Sequence, residues 1–126
     1  MINYQNQKPD DPINYPEVLE RIGGDREFLV ELLKIYLLEF QEKIAQVEAA
    51  LEGADFGLIQ EIGHSLKGAS ANLSLPSLRR VASELEAAGR DRNSEIARQA
   101  LGSLVSERQL LLDFLKQNPL DAHQPV

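Results

Sequence analysis

The sequence predicts an all-α protein, an antiparallel up-down-up-down four-helix bundle with a short extra helix at its N-terminus. Three observations support this prediction. The composition is only 6% aromatic and rich in leucine, alanine, glutamate and glutamine, which favours helix over sheet. Apolar residues recur every three or four positions along four segments, and no segment alternates as a strand does. The connections are a few residues long, so consecutive helices must be antiparallel neighbours.

The chain begins with a polar segment and a short helix. Residues 1–12 contain two prolines and show no periodicity, so we expect a flexible N-terminal arm. Pro16 suits the first turn of a helix over residues 17–22. The pair Gly23 and Gly24 is expected to end that helix.

The second predicted helix is the longest. Asp25 is a good N-cap, and the helix is expected to run to about residue 52 and to end at Gly53. Its apolar residues recur at helical spacing and should face the core. They are Phe28, Leu29, Leu32, Leu33, Tyr36, Phe40, Ile44, Val47 and Leu51.

Asp55 should cap the third helix, over residues 56–72. A fourth helix over residues 76–89 is expected to start at Pro76, and residues 89–93 to form a turn. The inward residues of these two helices are predicted to be Ile59, Ile62, Leu66, Ala69, Leu73, Leu78, Val81, Ala82 and Leu85.

The last helix is predicted over residues 94–117, and residues 119–126 form a tail. This helix also carries an apolar stripe at helical spacing. Its members are Ile96, Ala97, Ala100, Leu101, Leu104, Val105, Leu111, Leu112 and Leu115.

Size and composition restrict the class of protein. The 126 residues suffice for one domain, here residues 13–118, with a core that needs no disulfide. A formal charge of −7 disfavours nucleic acid or an anionic membrane as the partner. The chain has no cysteine, which excludes thiolate metal sites and cysteine nucleophiles. Apolar runs are too short to span a bilayer and the N-terminus does not resemble a signal peptide, so we expect a cytoplasmic protein.

His64 is the residue most suggestive of function. It points almost directly away from the apolar stripe of the third helix, so its ring should be exposed. Gln60, Lys67, Gly68 and Ala71 share its face. An interior helical glycine costs roughly 1 kcal/mol relative to alanine, and Gly68 has no obvious packing benefit there. An uncovered imidazole beside a lysine and a glycine indicates a reactive or docking group, although Gly68 as a tolerated surface glycine is the alternative.

Two residues near His64 in the chain have different interpretations, one functional and one structural. Lys67 lies three residues further on and adjoins His64 on the helix surface. Its ammonium group could stabilise the oxygens of a phosphoryl group on a neutral imidazole; a solvated lysine is the alternative. Gly63 lies at the edge of the stripe, where it could let a neighbouring helix approach.

The run His-Ser-Leu-Lys-Gly-Ala-Ser at 64–70, followed by Asn72 and Leu73, resembles the signature of histidine phosphotransfer (HPt) domains. The segment Gly-Gly-Asp-Arg-Glu-Phe-Leu at 23–29 resembles the opening of that family's first long helix. Leu85-Glu86 resembles a pair common on the helix after the histidine helix. The resemblance covers roughly residues 13–117. Ser74 departs from it, because the family often has glycine at the end of the histidine helix.

The resemblance implies a phosphorelay intermediate. Its histidine, His64, would accept a phosphoryl group from the aspartate of one receiver domain and pass it to another. Such domains do not use ATP themselves, and this chain has no P-loop or kinase motif. The expected partners are receiver domains of hybrid histidine kinases and response regulators. The resemblance also implies a monomer. No cofactor is expected, because the Mg²⁺ needed for transfer belongs to the receiver.

Several residues are assigned roles at this site. Nε2 of His64 is the predicted nucleophile. Counting helix levels back from the turn at 73–76 places residues 84–87 beside the ring, and the Glu86 carboxylate could accept a hydrogen bond from Nδ1 and fix the tautomer. A solvated glutamate is the alternative. Arg90, one turn further, could add positive potential or contact an acidic pocket of the receiver. The predicted docking residues are Gln60, Gly68, Ala71 and Arg90.

The sequence leaves three alternatives to a relay. The chain could be the substrate domain of a chemotaxis-type histidine kinase, although no ATP-binding domain fits within its length. It could be a helical interaction module that is never phosphorylated. A metal-dependent hydrolase is disfavoured, because no Glu-x-x-His ligand set repeats on facing helices.

Overall fold

The computed structural model describes residues 7–120, and within this range the chain folds into five α-helices and no strand. The parts of the predicted arm and tail at 1–6 and 121–126 lie outside the described residues. The helices are α1 (Tyr15–Arg21), α2 (Arg26–Glu52), α3 (Phe56–Asn72), α4 (Pro76–Arg90) and α5 (Ser94–Gln117).

The four long helices pack as a ring. α2 contacts α3, α3 contacts α4, α4 contacts α5, and α5 returns to α2. The contact between α3 and α4 is the most extensive. This is the predicted bundle with an additional N-terminal helix. Within residues 7–120, no helix combines the length and the hydropathy needed to cross a membrane.

The bundle interior is almost entirely aliphatic. Burying one such side chain stabilises a fold by about 1.5–3 kcal/mol. Among the described residues, Ser70 and Ser74 are the buried polar residues, and both side chains form hydrogen bonds. The largest fully buried side chains include Phe40, Leu29, Ile59, Leu66, Leu85, Leu104 and Leu111.

Side-chain caps define where most helices begin. The predicted caps Asp25 and Asp55 are confirmed, since each side chain accepts a hydrogen bond from the backbone N–H three residues later. Asn14 and Asn93 cap α1 and α5 in the same way. Such a cap contributes about 1 kcal/mol. α4 has no side-chain cap and begins with Pro76, whose missing N–H needs no partner there.

Some sequence predictions were wrong in detail. α1 begins at Tyr15, two residues early, because Asn14 provides the cap. α4 continues through Gly89, which was assigned to a turn, to Arg90. Three residues expected in the core are exposed because they lie at the edges of their apolar stripes, beyond the reach of the neighbouring helices: Phe28, Ile96 and Val105.

Both ends of the described chain contact the bundle. The Gln7 side chain accepts from the backbone N–H of Tyr15 and donates to the carbonyl of Ile13. The Tyr15 hydroxyl donates to the carbonyl of Asn118 at 2.7 Å, and Leu120 is buried. Hydrogen bonds and apolar contacts therefore extend to residues on either side of the predicted domain, 13–118.

Three helices end in a left-handed residue that is not glycine. In each case the following N–H donates to a carbonyl five residues earlier, which is the Schellman motif. A residue with a Cβ pays about 1–2 kcal/mol of strain in this conformation. The three residues are Ala54, Ser74 and Arg92, with φ of 53°, 57° and 56°.

Ser74 compensates for its backbone strain through its side chain. Its hydroxyl donates to the Glu17 carboxylate at 2.7 Å and accepts from the Arg21 guanidinium at 3.2 Å. The bond from Ser74, and next the charge of Arg21, hold the pKa of Glu17 below its ordinary value despite an opposing effect of burial. Ser74, where the family often has glycine, therefore joins the end of α3 to α1 through two hydrogen bonds. α3 itself ends at Asn72, as predicted.

Replacing Ala54 by glycine should stabilise the protein. Relief of the left-handed strain outweighs the greater freedom of glycine in the unfolded chain, about 0.4–1 kcal/mol. We expect a net gain of roughly 0.5–1 kcal/mol, measured by urea unfolding. Ala45→Gly, at an exposed position inside α2, is the control and should destabilise by about 1 kcal/mol. Equal losses in both variants would contradict this account.

Candidate functional site

The site lies where α3 and α4 approach most closely. Gly63 is buried on α3, and a Cβ atom added to it would lie 2.5 Å from the backbone nitrogen of Glu86. Gly89 of α4 is pressed in the same way against the backbone of Gln60. The expectation that Gly63 admits a neighbouring helix is confirmed. The two backbones therefore touch, and Glu86 is brought beside His64.

His64 is exposed, with 72% of its side chain accessible, and one of its ring nitrogens has a partner. Nδ1 lies 2.8 Å from Oε2 of Glu86. An ionised carboxylate can only accept hydrogen bonds, so the proton of the neutral ring is assigned to Nδ1. Nε2, at the other side of the ring, is then left with a free lone pair.

Lys67 is engaged with the same carboxylate. Its Nζ donates to Oε1 of Glu86 at 2.6 Å. Glu86 is largely covered, with 16% of its side chain accessible. The hydrogen bond from Lys67, and then that from His64, hold the pKa of Glu86 below its ordinary value, although burial opposes them. Sequence reasoning placed Lys67 toward a phosphoryl group; the structure instead shows it bound to Glu86, so its part in binding phosphate stays a prediction.

The predicted docking residues take no part in the hydrogen bonds of the His64 ring. Gly68 is exposed, and a Cβ added there would meet nothing within 4 Å. Gln60 and Ala71 are half-buried on the same helix. Arg90 is exposed, and its Nε donates to Asp91 at 3.3 Å. The structure therefore leaves an open face beside His64 but does not bring Arg90 into the His64–Glu86–Lys67 triad.

One polar contact beneath the site was missed from sequence. Ser70 was assigned no role, yet it is buried and its hydroxyl lies 2.8 Å from that of Tyr36 on α2. Burial raises the pKa of Tyr36 to about 12, so the phenol stays protonated. The signal was present, because Ser70 follows Leu66 by four residues on the apolar stripe, where a hydroxyl needs a partner.

No metal centre is evident in the described part of the chain. Over residues 7–120, no group of three or more histidine, aspartate or glutamate side chains converges so as to hold an ion. The expectation that the chain needs no cofactor stays a prediction.

Comparisons with known proteins identify a family. The family model described as the Hpt domain matches residues 31–118. Multistep phosphorelay regulator 1 of Schizosaccharomyces pombe is 29% identical over an alignment of 122 residues, which covers 82% of this chain. The chain spans only 41% of the length of that curated relative. No solved structure matches the chain.

The family match extends over more than half of the chain, from the second turn of α2 to the end of α5. It includes both helices that form the His64–Glu86–Lys67 triad, and the all-helical bundle is the fold that the apolar periodicity predicts. The chain belongs to the Hpt, or histidine phosphotransfer, domain family.

Proposed function

We propose that this chain is a phosphorelay intermediate, in which His64 accepts a phosphoryl group from the aspartate of one receiver domain and passes it to the aspartate of another. The observation that carries the proposal is the exposed imidazole whose Nδ1 lies 2.8 Å from an ionised glutamate. The name of the S. pombe relative, a multistep phosphorelay regulator, supports the same class of function.

In the first step the lone pair on Nε2 attacks the phosphorus of an aspartyl phosphate. The Nε2–P bond forms while the P–O bond to the aspartate breaks, and its electron pair leaves with the aspartate oxygen. The ring becomes an imidazolium that keeps its proton on Nδ1. In the second step an aspartate oxygen attacks phosphorus, the Nε2–P bond breaks, and its electron pair returns to Nε2.

Glu86 serves both steps through one hydrogen bond. It fixes the tautomer that exposes the Nε2 lone pair, and its charge faces the imidazolium that forms after attack. Neither step then requires the ring to exchange a proton with water. Lys67 keeps Glu86 ionised between transfers and supplies positive charge for phosphoryl oxygens.

The face around His64 is proposed to receive the partner. The space over Gly68 is open, and Gln60, Ala71 and Arg90 are the other residues expected to contact the partner. The contribution of the bundle to transfer is orientation, because a rigid helix holds one ring in line with the incoming phosphorus. The receiver would bring the Mg²⁺, and the chain itself would neither bind ATP nor phosphorylate itself.

Transfer can be tested directly. Receiver domains from the same genome are loaded on their aspartates with radiolabelled acetyl phosphate and mixed with the protein. We expect label on the protein that is stable in alkali and labile in acid, and that moves on to a second receiver. His64→Gln should take up none. If no receiver transfers label, or if His64→Gln accepts it equally, the proposal is wrong.

Removing the Glu86 carboxylate should slow transfer. A hydrogen bond to a charged group contributes about 1.5–3 kcal/mol, so Glu86→Ala should lower the rate of phosphoryl uptake by about ten- to hundredfold. Glu86→Gln keeps an acceptor for Nδ1–H and should recover part of the rate. Single-turnover transfer from one receiver measures both variants. A rate for Glu86→Ala equal to that of the wild type would refute the role of Glu86.

A bulky side chain at Gly68 should block docking without unfolding the bundle. Because the space over Gly68 is open, Gly68→Arg should keep the wild-type circular dichroism spectrum and unfolding midpoint. Receiver-dependent labelling should fall at least tenfold, since the guanidinium occupies the partner's place. Gly102→Arg, at an equally open glycine on α5, is the matched control. Unimpaired transfer in Gly68→Arg would contradict docking at this face.

A further inference from the structure

We propose that Gly63 is a positioning residue of the site: its missing side chain lets the backbone of Glu86 lie against α3, close enough for one carboxylate to bind both His64 and Lys67. The effect expected on phosphoryl transfer rests on the proposed function. The effect on the ring of His64 does not.

The space at Gly63 is already filled by Glu86. Gly63 is buried and immediately precedes His64. A Cβ atom at this position would lie 2.5 Å from the nitrogen, 2.7 Å from the Cα and 3.0 Å from the Cβ of Glu86. Non-bonded atoms ordinarily stay about 3.4 Å or more apart. Even an alanine would therefore push the backbone of Glu86 outward by about 1 Å.

Such a displacement exceeds what the two hydrogen bonds can tolerate. The bonds to His64 and Lys67 measure 2.8 and 2.6 Å, and N–H···O bonds weaken beyond about 3.2 Å. The two oxygens of Glu86 are fixed relative to each other, and both partners are attached to the same helix. A change of rotamer could restore one of the two bonds, but the carboxylate would then turn away from the other partner.

Gly89 shows that the close approach continues along the helix pair. Its added Cβ would clash with the backbone of Gln60 and with the carbonyl of Phe56. Those atoms lie one and two turns before His64 on α3. Gly63 differs from Gly89 because the backbone that lies against it is that of Glu86, the hydrogen-bond partner of His64. Gly63 therefore acts on the site through Glu86.

The decisive measurement is the protonation of the His64 ring. ¹⁵N chemical shifts distinguish a proton on Nδ1 from one on Nε2, and ¹³C shifts follow the carboxyl group of Glu86. In the wild type we expect the Nδ1–H form. In Gly63→Ala we expect a mixture of tautomers that approaches the Glu86→Ala reference, together with a pKa of Glu86 that rises back toward its ordinary value. Wild-type shifts and a wild-type pKa in Gly63→Ala would overturn the proposal.

Gly102→Ala is the matched control. It makes the same chemical change inside a helix, at an exposed glycine with nothing within 4 Å of the added atom. The shifts of His64 should remain those of the wild type. An equal change of tautomer in Gly102→Ala would show a general effect of glycine replacement and would overturn the assignment to Gly63.

Overpacking destabilises helix pairs, so Gly63→Ala is made also in a background that carries Ala54→Gly and Gly102→Ala, two changes expected to stabilise the bundle.

Glu86→Asp provides a test that does not disturb the packing, because it withdraws the carboxylate by one methylene group. It should shift the tautomer as Gly63→Ala does. A wild-type ring in Glu86→Asp would show that close approach is not required.

Phosphoryl uptake from a loaded receiver is measured on the same proteins. We expect Gly63→Ala to slow at least tenfold, as Glu86→Ala should, while Gly102→Ala stays at the wild-type rate. The two proposals fail separately. If the wild type accepts no phosphate, the relay is refuted, and the ring shifts still decide the role of Gly63.

Discussion

The contact between the backbones of α3 and α4 is the constraint on which the site depends. Because Gly63 and Gly89 carry no side chains, the two helices meet at main-chain distance, and a residue as short as glutamate reaches across to His64 and Lys67. If α3 and α4 lay further apart, the side chains of His64, Lys67 and Glu86 would be hydrated instead of bonded to one another. The core residues beneath this contact are buried aliphatic side chains and Phe40, and close-packed interiors of this kind resist a change of spacing.

Much of the fold can be predicted from local features of the sequence. Asp25 and Asp55 cap helices through their own neighbours, and the apolar stripes of α3 and α4 identify the inner faces. The exposure of Phe28 could not be predicted from the sequence, because it depends on how far an adjacent helix extends along α2. The contacts of Lys67 with Glu86 and of Ser70 with Tyr36 also depend on the rotation of one helix against another, which periodicity does not fix.

The arrangement is suited to a carrier of a reactive group. Most of the His64 ring is accessible, yet its orientation is set by a partner that is mostly covered. The exposed ring of His64 can contact different partner surfaces. The covered Glu86 holds the same tautomer of the ring in each contact. In the proposed transfer, a site held by two packed helices would require no rearrangement before reaction, which is the advantage of preorganisation.

α1 lies outside the region matched by the family model, which begins at residue 31. Its Arg21 donates to the carbonyls of Ala71 and Asn72, the last residues of the histidine helix, and its Glu17 binds Ser74 just beyond. Positive charge there also suits the negative end of the α3 dipole. These bonds tie the end of α3 to α1 and should limit fraying of the helix that carries His64. A helix outside the matched region would thereby influence the proposed transfer without contacting the site.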